Sequence, residues 1–167
     1  LNVFPWRILA ITFTNKAARE MRERIAALLS EDVARDIWVS TFHALAVRIL
    51  RRDGEAIGLA KNFTIIDTSA QRTLMKRVIN DLNLDTNQYD PRTILGMISN
   101  AKNDMLRPRD YAKAADNAFQ ETVAEVYTAY QAELKRSQSV DFDDLIMLTI
   151  DLFQSAPEVL ARYQQQF

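Results

Sequence analysis

ILAITFTNKAAREMRERIAALL, residues 8–29, decides how this chain folds. It divides into an apolar run, a polar corner and an amphipathic segment. Ile8, Leu9, Ala10, Ile11 and Phe13 have the length and β-branched content of a strand covered on both faces, and Thr14-Asn15 is a helix-start signal. Beyond it, Ala17, Ala18, Met21, Ile25, Leu28 and Leu29 recur at helical spacing, with Arg19, Glu20, Arg22, Glu23 and Arg24 on the other side. This is a strand-turn-helix unit of a parallel α/β sheet. In such sheets ligands bind beyond the carboxyl ends of the strands, where helix N-termini turn their first N–H groups outward. Thr12, Thr14, Asn15 and Lys16 surround that point and offer hydroxyls, an amide and a cation, a set suited to a phosphate. The same residues also read as a plain helix cap beside a solvated lysine.

Working outward, residues 37–41 (IWVST) form a second short strand, which the intervening helix makes parallel to the first by a right-handed crossover. Residues 30–36 read as a polar link between the two units. Phe42 and His43 make a second corner, and 44–52 continue as a helix with Leu45, Ile49 and Leu50 inward and Arg48, Arg51 and Arg52 outward. From Gly54 onward the pattern is almost all helical. After a short extended piece at 63–67, Thr68 or Ser69 caps a helix to about Asn83 with Leu74, Met75, Val78, Ile79 and Leu82 as its stripe. Asp90-Pro91 opens a helix over 91–104. A short helix follows Arg107-Pro108. The longest, 117–138, buries Phe119, Val123, Val126, Tyr127, Tyr130 and Leu134, and helices over 140–153 and from Pro157 complete the chain.

Composition narrows the chemistry. At 167 residues, 48% hydrophobic and 26% charged, the chain can build one good core or two small ones. It has no cysteine, hence neither disulfides nor a thiolate metal site. No apolar run approaches the roughly 18 residues of a membrane span, and a soluble, cytoplasmic protein is expected. The net charge of -1 is unevenly spread: +3 over residues 1–61, zero over 62–140 and -4 over 141–167. A polyanion would therefore meet local basic positions, Lys102, Arg107 and Arg109 among them, with the amide of Asn103 beside them where two helices join. His43 is the sole histidine, and the three glycines are isolated, so no phosphate-cradling loop of the G-x-x-x-x-G-K-[ST] type is present. Asp141, Asp143 and Asp144 form the densest acidic group; a metal is one reading, but Asp141 as N-cap with two acids in the first turn needs none.

Four blocks, ILAITFTNKAAREM at 8–21, WVSTFHALAVRIL at 38–50, PRTILGMISNAKND at 91–104 and VDFDDLI at 140–146, resemble in order and spacing the UvrD/PcrA/Rep-type superfamily 1 DNA helicases, nearest the PcrA-like branch. The resemblance implies a mostly α fold with a small parallel α/β portion. That portion is a partial RecA-like (P-loop NTPase type) sheet carrying an inserted all-helical subdomain. It implies a division into a partial motor domain at 1–55, a helical accessory subdomain at 56–155 and a return toward the motor domain at 156–167. Thr12, Phe13, Thr14, Asn15 and Lys16, with Thr41, Phe42 and His43, match motifs that contact single-stranded DNA, while Lys102, Asn103, Arg107 and Arg109 would face duplex phosphates near a junction. The parent is expected to be an ATP-dependent 3'-5' helicase of DNA repair and replication that uses ATP and Mg. Its nucleotide loop would lie before Leu1 and its Mg-binding acids after Phe167, so this piece alone should hold neither cofactor and turn over no ATP. Two other classes stand beside this one: a helical protein-interaction module, which has no reason to possess the two corners, and a piece of a RecB/AddA-type helicase-nuclease, which shares the first blocks.

Overall fold

The computed structural model describes residues 2–167, which form two compact units. The first comprises the chain up to Lys61 together with Leu148–Phe167; the second is Asn62–Met147. The expected class, mostly α with a small parallel α/β portion, holds.

In the first unit, strand β1 (Leu9–Thr12) pairs in parallel with β2 (Trp38–Thr41), in a register that sets Leu9 against Trp38 and Thr12 against Thr41. Helix α1 (Asn15–Leu28) makes the crossover between them. The link read at 30–36 is instead a helix, α2 (Glu31–Asp36), because the Ser30 hydroxyl accepts a bond from the Val33 N–H and supplies an N-cap. Helix α3 (Phe42–Asp53) starts two residues earlier than the apolar pattern suggests, directly after β2. Its Ala46, Ile49 and Leu50 are buried, as is Val39 of β2. Leu28 and Leu29 are exposed, 82% and 60%, although helical spacing alone would turn them inward.

The last helix, α9 (Pro157–Gln166), belongs to this unit and is tied down by polar contacts. Tyr163 donates its hydroxyl to Asp53 Oδ2 at 2.6 Å, and Arg162 pairs with the other carboxylate oxygen. Burial pushes the Asp53 carboxyl up, but these two hydrogen bonds outweigh it and hold Asp53 below the usual carboxylate range. Trp38 lies edge-on to Tyr163 and carries the Arg48 guanidinium 3.3 Å from its ring centroid.

The second unit is built from α4 (Thr68–Asp81), α5 (Pro91–Asn103), α6 (Pro108–Lys113) and α7 (Ala118–Arg136). Its core is Met75, Val78, Ile79, Ile94, Ile98, Ala101, Val123, Val126, Tyr127, Tyr130 and Leu134. The cap of α4 is Asp67, one residue before the expected Thr68, with Oδ1 2.7 Å from the Ala70 N–H. Two short strands pair in parallel: β3 (Thr64–Ile65), inside the extended piece read at 63–67, and β4 (Ser139–Val140), which falls where the pattern reads as one helix followed by the next. They deliver the chain to α8 (Phe142–Ser155), within which it passes from the second unit to the first.

A candidate nucleic-acid interface

Because Thr12 and Thr41 are register partners in parallel strands, both corners emerge at one edge of the sheet. β2 runs straight into α3 and β1 reaches α1 through Phe13 and Thr14, and each helix is capped by threonine. Thr14 Oγ1 accepts from the Ala17 N–H at 3.1 Å, and Thr41 Oγ1 accepts from the Ala44 N–H at 3.2 Å. Each cap satisfies one of the four N–H groups that helix geometry leaves without an intrahelical acceptor. The positive ends of two helices therefore lie at the same edge.

The other residues there sort by exposure. Phe13 is 86% exposed and Phe42 45%, their ring centroids 5.4 Å apart at a tilt of 44°. An aromatic pair kept in water at a strand-to-helix corner loses the stabilisation that burial would bring, and offers two flat faces to a planar ligand. Thr14, Asn15 and Lys16 are exposed, and among the described residues the Lys16 ammonium makes only a long contact with Glu20, 3.9 Å. Thr12 and His43 are half-buried. Thr41 is buried, 7% exposed, so it positions Phe42 and His43 and does not itself face a ligand.

The second group lies in the other unit and divides. Asn103 closes α5, Arg107 precedes α6 with its N–H bonded to Asp110 Oδ2 at 3.3 Å, and Arg109 is exposed on the first turn of α6. Lys102, expected beside them as a phosphate contact, points the other way. Its side chain is 0% exposed, with Nζ 2.6 Å from Asp141 Oδ2 and 2.8 Å from Asp144 Oδ1. Two carboxylates and full burial hold that ammonium inside the unit, so it leaves the list of surface donors.

The model of the UvrD/REP helicase N-terminal domain matches residues 1–167. The chain belongs to this family. It is 99% identical over its full length to an ATP-dependent DNA helicase PcrA of Leuconostoc citreum, covering 22% of that protein. Over 99% of its length it is 52% identical to the PcrA of Bacillus subtilis, again 22% of that protein, and 51% identical to the PcrA of Staphylococcus aureus, 23% of it. The chain thus spans about a fifth of the length of these relatives. Within the family the small sheet and its helices form a partial RecA-like portion, and the helical unit a subdomain.

What this family member holds in place of a surface lysine is a buried polar network. Asp141 and Asp144 cap α8 reciprocally: the Asp144 N–H donates to Asp141 Oδ1 at 2.9 Å, and the Asp141 N–H to Asp144 Oδ2 at 3.0 Å. Tyr130 donates its hydroxyl to Asp141 Oδ2 at 3.0 Å, and Gln131 donates to Asp144 Oδ1 at 3.2 Å. Burial pushes the Asp144 carboxyl above its usual value, against the pull of Lys102. Burial likewise raises the Tyr130 and Tyr127 hydroxyls. ATP-dependent relatives imply ATP and Mg, and the acids of α8 do not fit that metal. The Lys102 ammonium sits where a cation would, and Asp143 is engaged by the Ser99 hydroxyl at 2.7 Å. Among the described residues no other group of three histidine, cysteine or acidic side chains could hold a metal, and no helix is long and apolar enough to cross a membrane.

Proposed function

We propose that this chain is the strand-gripping and duplex-side part of an ATP-dependent 3'-5' DNA helicase acting in repair and replication. In this reading residues 1–55 and 156–167 belong to a RecA-like motor domain and 56–155 to an accessory subdomain. Thr12, Phe13, Thr14, Asn15, Lys16, Phe42 and His43 meet single-stranded DNA. Helix N-termini, hydroxyls and Lys16 take the phosphates, and the two rings take a base. Asn103, Arg107 and Arg109 touch duplex phosphates near a junction without reading sequence. ATP and Mg are held by parts of the parent outside this chain, and the isolated chain turns over no ATP.

The observation that carries the proposal is the exposed Phe13–Phe42 pair at a shared strand edge, 5.4 Å between centroids. A helical interaction module has no use for paired aromatics beside two helix N-termini. The test is fluorescence anisotropy at low salt with a labelled single strand and a labelled duplex. Phe13→Ala should weaken single-strand binding by about 1–3 kcal/mol, the range for one lost stacking partner, and leave duplex binding unchanged. Asn103→Ala with Arg109→Ala should do the reverse, and both affinities should fall steeply with salt. Absence of binding to either DNA, or equal weakening of both forms by both variants, would refute the assignment.

A further inference from the structure

A cavity of about 220 Å³ in the helical unit carries charges that the nucleic-acid reading does not use. Its wall includes Arg72 and Gln71 of α4, Arg92, Gly96 and Ser99 of α5, and the two acids Asp141 and Asp143 at the start of α8. Neither guanidinium has an ion-pair or hydrogen-bond partner among the described residues; Arg92 acts on the Asp90 carboxylate through its charge and its backbone N–H. Asp143 has one partner, the Ser99 hydroxyl on Oδ2. Asp141 is already spent on Lys102, Tyr130 and the Asp144 N–H, so two cations and one uncommitted anion line the cavity, farther from each other than an ion pair spans.

Gly96 adds an independent observation. It sits in the interior of α5, where glycine is a poor helix former, and an added Cβ would meet no atom within 4 Å. No contact among the described residues requires the glycine, while its missing side chain keeps the cavity open. A polyanion entering here meets Asp143, and a simple cation meets two arginines. The complement of two guanidiniums and one uncommitted carboxylate is a molecule with two carboxylates and one ammonium. The volume, several times the roughly 30 Å³ share of one liquid water, suits such a molecule.

We propose that this cavity binds a small acidic amino acid, its carboxylates taken by Arg72 and Arg92 and its ammonium donated to the Asp143 oxygen that Ser99 leaves free. Arginine suits the first role because its planar fork matches a carboxylate. The experiment is an amide chemical-shift titration of the ¹⁵N-labelled chain with L-glutamate, with glutarate, which lacks the ammonium, and with inorganic phosphate. Glutamate should shift the Gly96, Ser99 and Asp143 amides with a dissociation constant on the order of 1 mM, about tenfold tighter than glutarate or phosphate. Asp143→Asn should erase the preference for glutamate over glutarate, and Arg72→Gln with Arg92→Gln should abolish binding of both. Gly96→Ala, which favours the helix, should stay folded with an unchanged amide spectrum elsewhere and bind glutamate more weakly. Equal shifts with glutamate and phosphate that survive Asp143→Asn would mark a plain anion site and overturn the proposal. So would the absence of shifts at these amides, or a folded Gly96→Ala that binds as well as the parent.

Discussion

Replacing Lys102 by methionine separates the buried network from a surface contact more sharply than any other single change. The substitution keeps most of the stem volume and deletes the ammonium, leaving Asp141 and Asp144 with side chains only 2% and 7% exposed and no cation between them. Removing one partner of a buried pair costs about 3–5 kcal/mol, because the remaining charge stays desolvated. Against a total stability of roughly 5–15 kcal/mol for a domain, that is a large share. The loss should depend on pH. Burial already holds Asp144 above its ordinary 3.8. Between that value and its raised folded one the native state keeps a proton that the unfolded chain gives up, so stability from this group falls as pH rises through the window. Lys102 pulls Asp144 down, so deleting it widens the window, and the deficit of Lys102→Met should shrink as pH is lowered from neutrality toward about pH 5. Urea unfolding followed by circular dichroism at the two pH values reads both effects. Adding Asp141→Asn and Asp144→Asn should recover much of the loss. A cost below about 0.5 kcal/mol, as for an ordinary surface position, or one equal at both pH values, would refute the reasoning.

Tyr163→Phe should cost about 1.5–3 kcal/mol, the range for a hydrogen bond to a charged group, by removing the bond to Asp53. Burial and Asp53 push the Tyr163 hydroxyl up from 10.0 to about 12, so its contribution is complete below pH 10 and is lost as pH rises from there to about 12; unfolding curves of the variant should lack that alkaline decline. Gly58→Ala should lower stability by about 1 kcal/mol in thermal unfolding, because φ is +77° and an added Cβ meets nothing within 4 Å, leaving backbone strain as the whole cost. Thr14→Asp should leave stability within about 0.5 kcal/mol, since aspartate caps as well as threonine, yet weaken single-strand binding in anisotropy titrations by placing an anion where a phosphate approaches. Thr14→Ala should instead lose about 1 kcal/mol of stability.

Local pattern made much of this legible. The β-branched run at 8–13, the threonines before each helix and the Asp90-Pro91 start all act through neighbours within four residues, so periodicity and capping chemistry suffice to place them. Lys102 lies beyond that reach, because its nearer partner in sequence, Asp141, is 39 residues away and its burial is a tertiary fact. A signal was present nonetheless: Lys102 falls eight residues after Ile94 and four after Ile98, on the same apolar stripe of α5, and a cation on such a stripe calls for buried acids of the kind VDFDDL supplies. Helix α2 escapes the pattern for another reason. Its six residues offer too little periodicity to read, and only the Ser30 cap announces it. Thr41 shows a third limit, since capping is visible in sequence but the depth of the cap is not.

The corner at Thr14 also removes an opposition that sequence alone sets up between a cap and a phosphate ligand. A threonine hydroxyl carries two lone pairs and one proton. Capping uses a lone pair, accepting the Ala17 N–H, and leaves the O–H free to donate outward from an exposed position. The cap takes one of the helix's first N–H groups, while those of Asn15 and Lys16 remain ahead of the first intrahelical acceptor. One residue therefore fixes where the helix begins and at the same moment aims a hydroxyl, two amides and the helix dipole at the same point in solvent. At Thr41 burial splits the roles: the cap is kept inside, and the outward face passes to Phe42, whose ring meets Phe13 across the sheet edge. Because Thr12 and Thr41 share a register, any shift of one strand by a residue would separate the two caps and the two rings together. The pairing that holds the small sheet is thus also what holds the candidate binding edge in one piece.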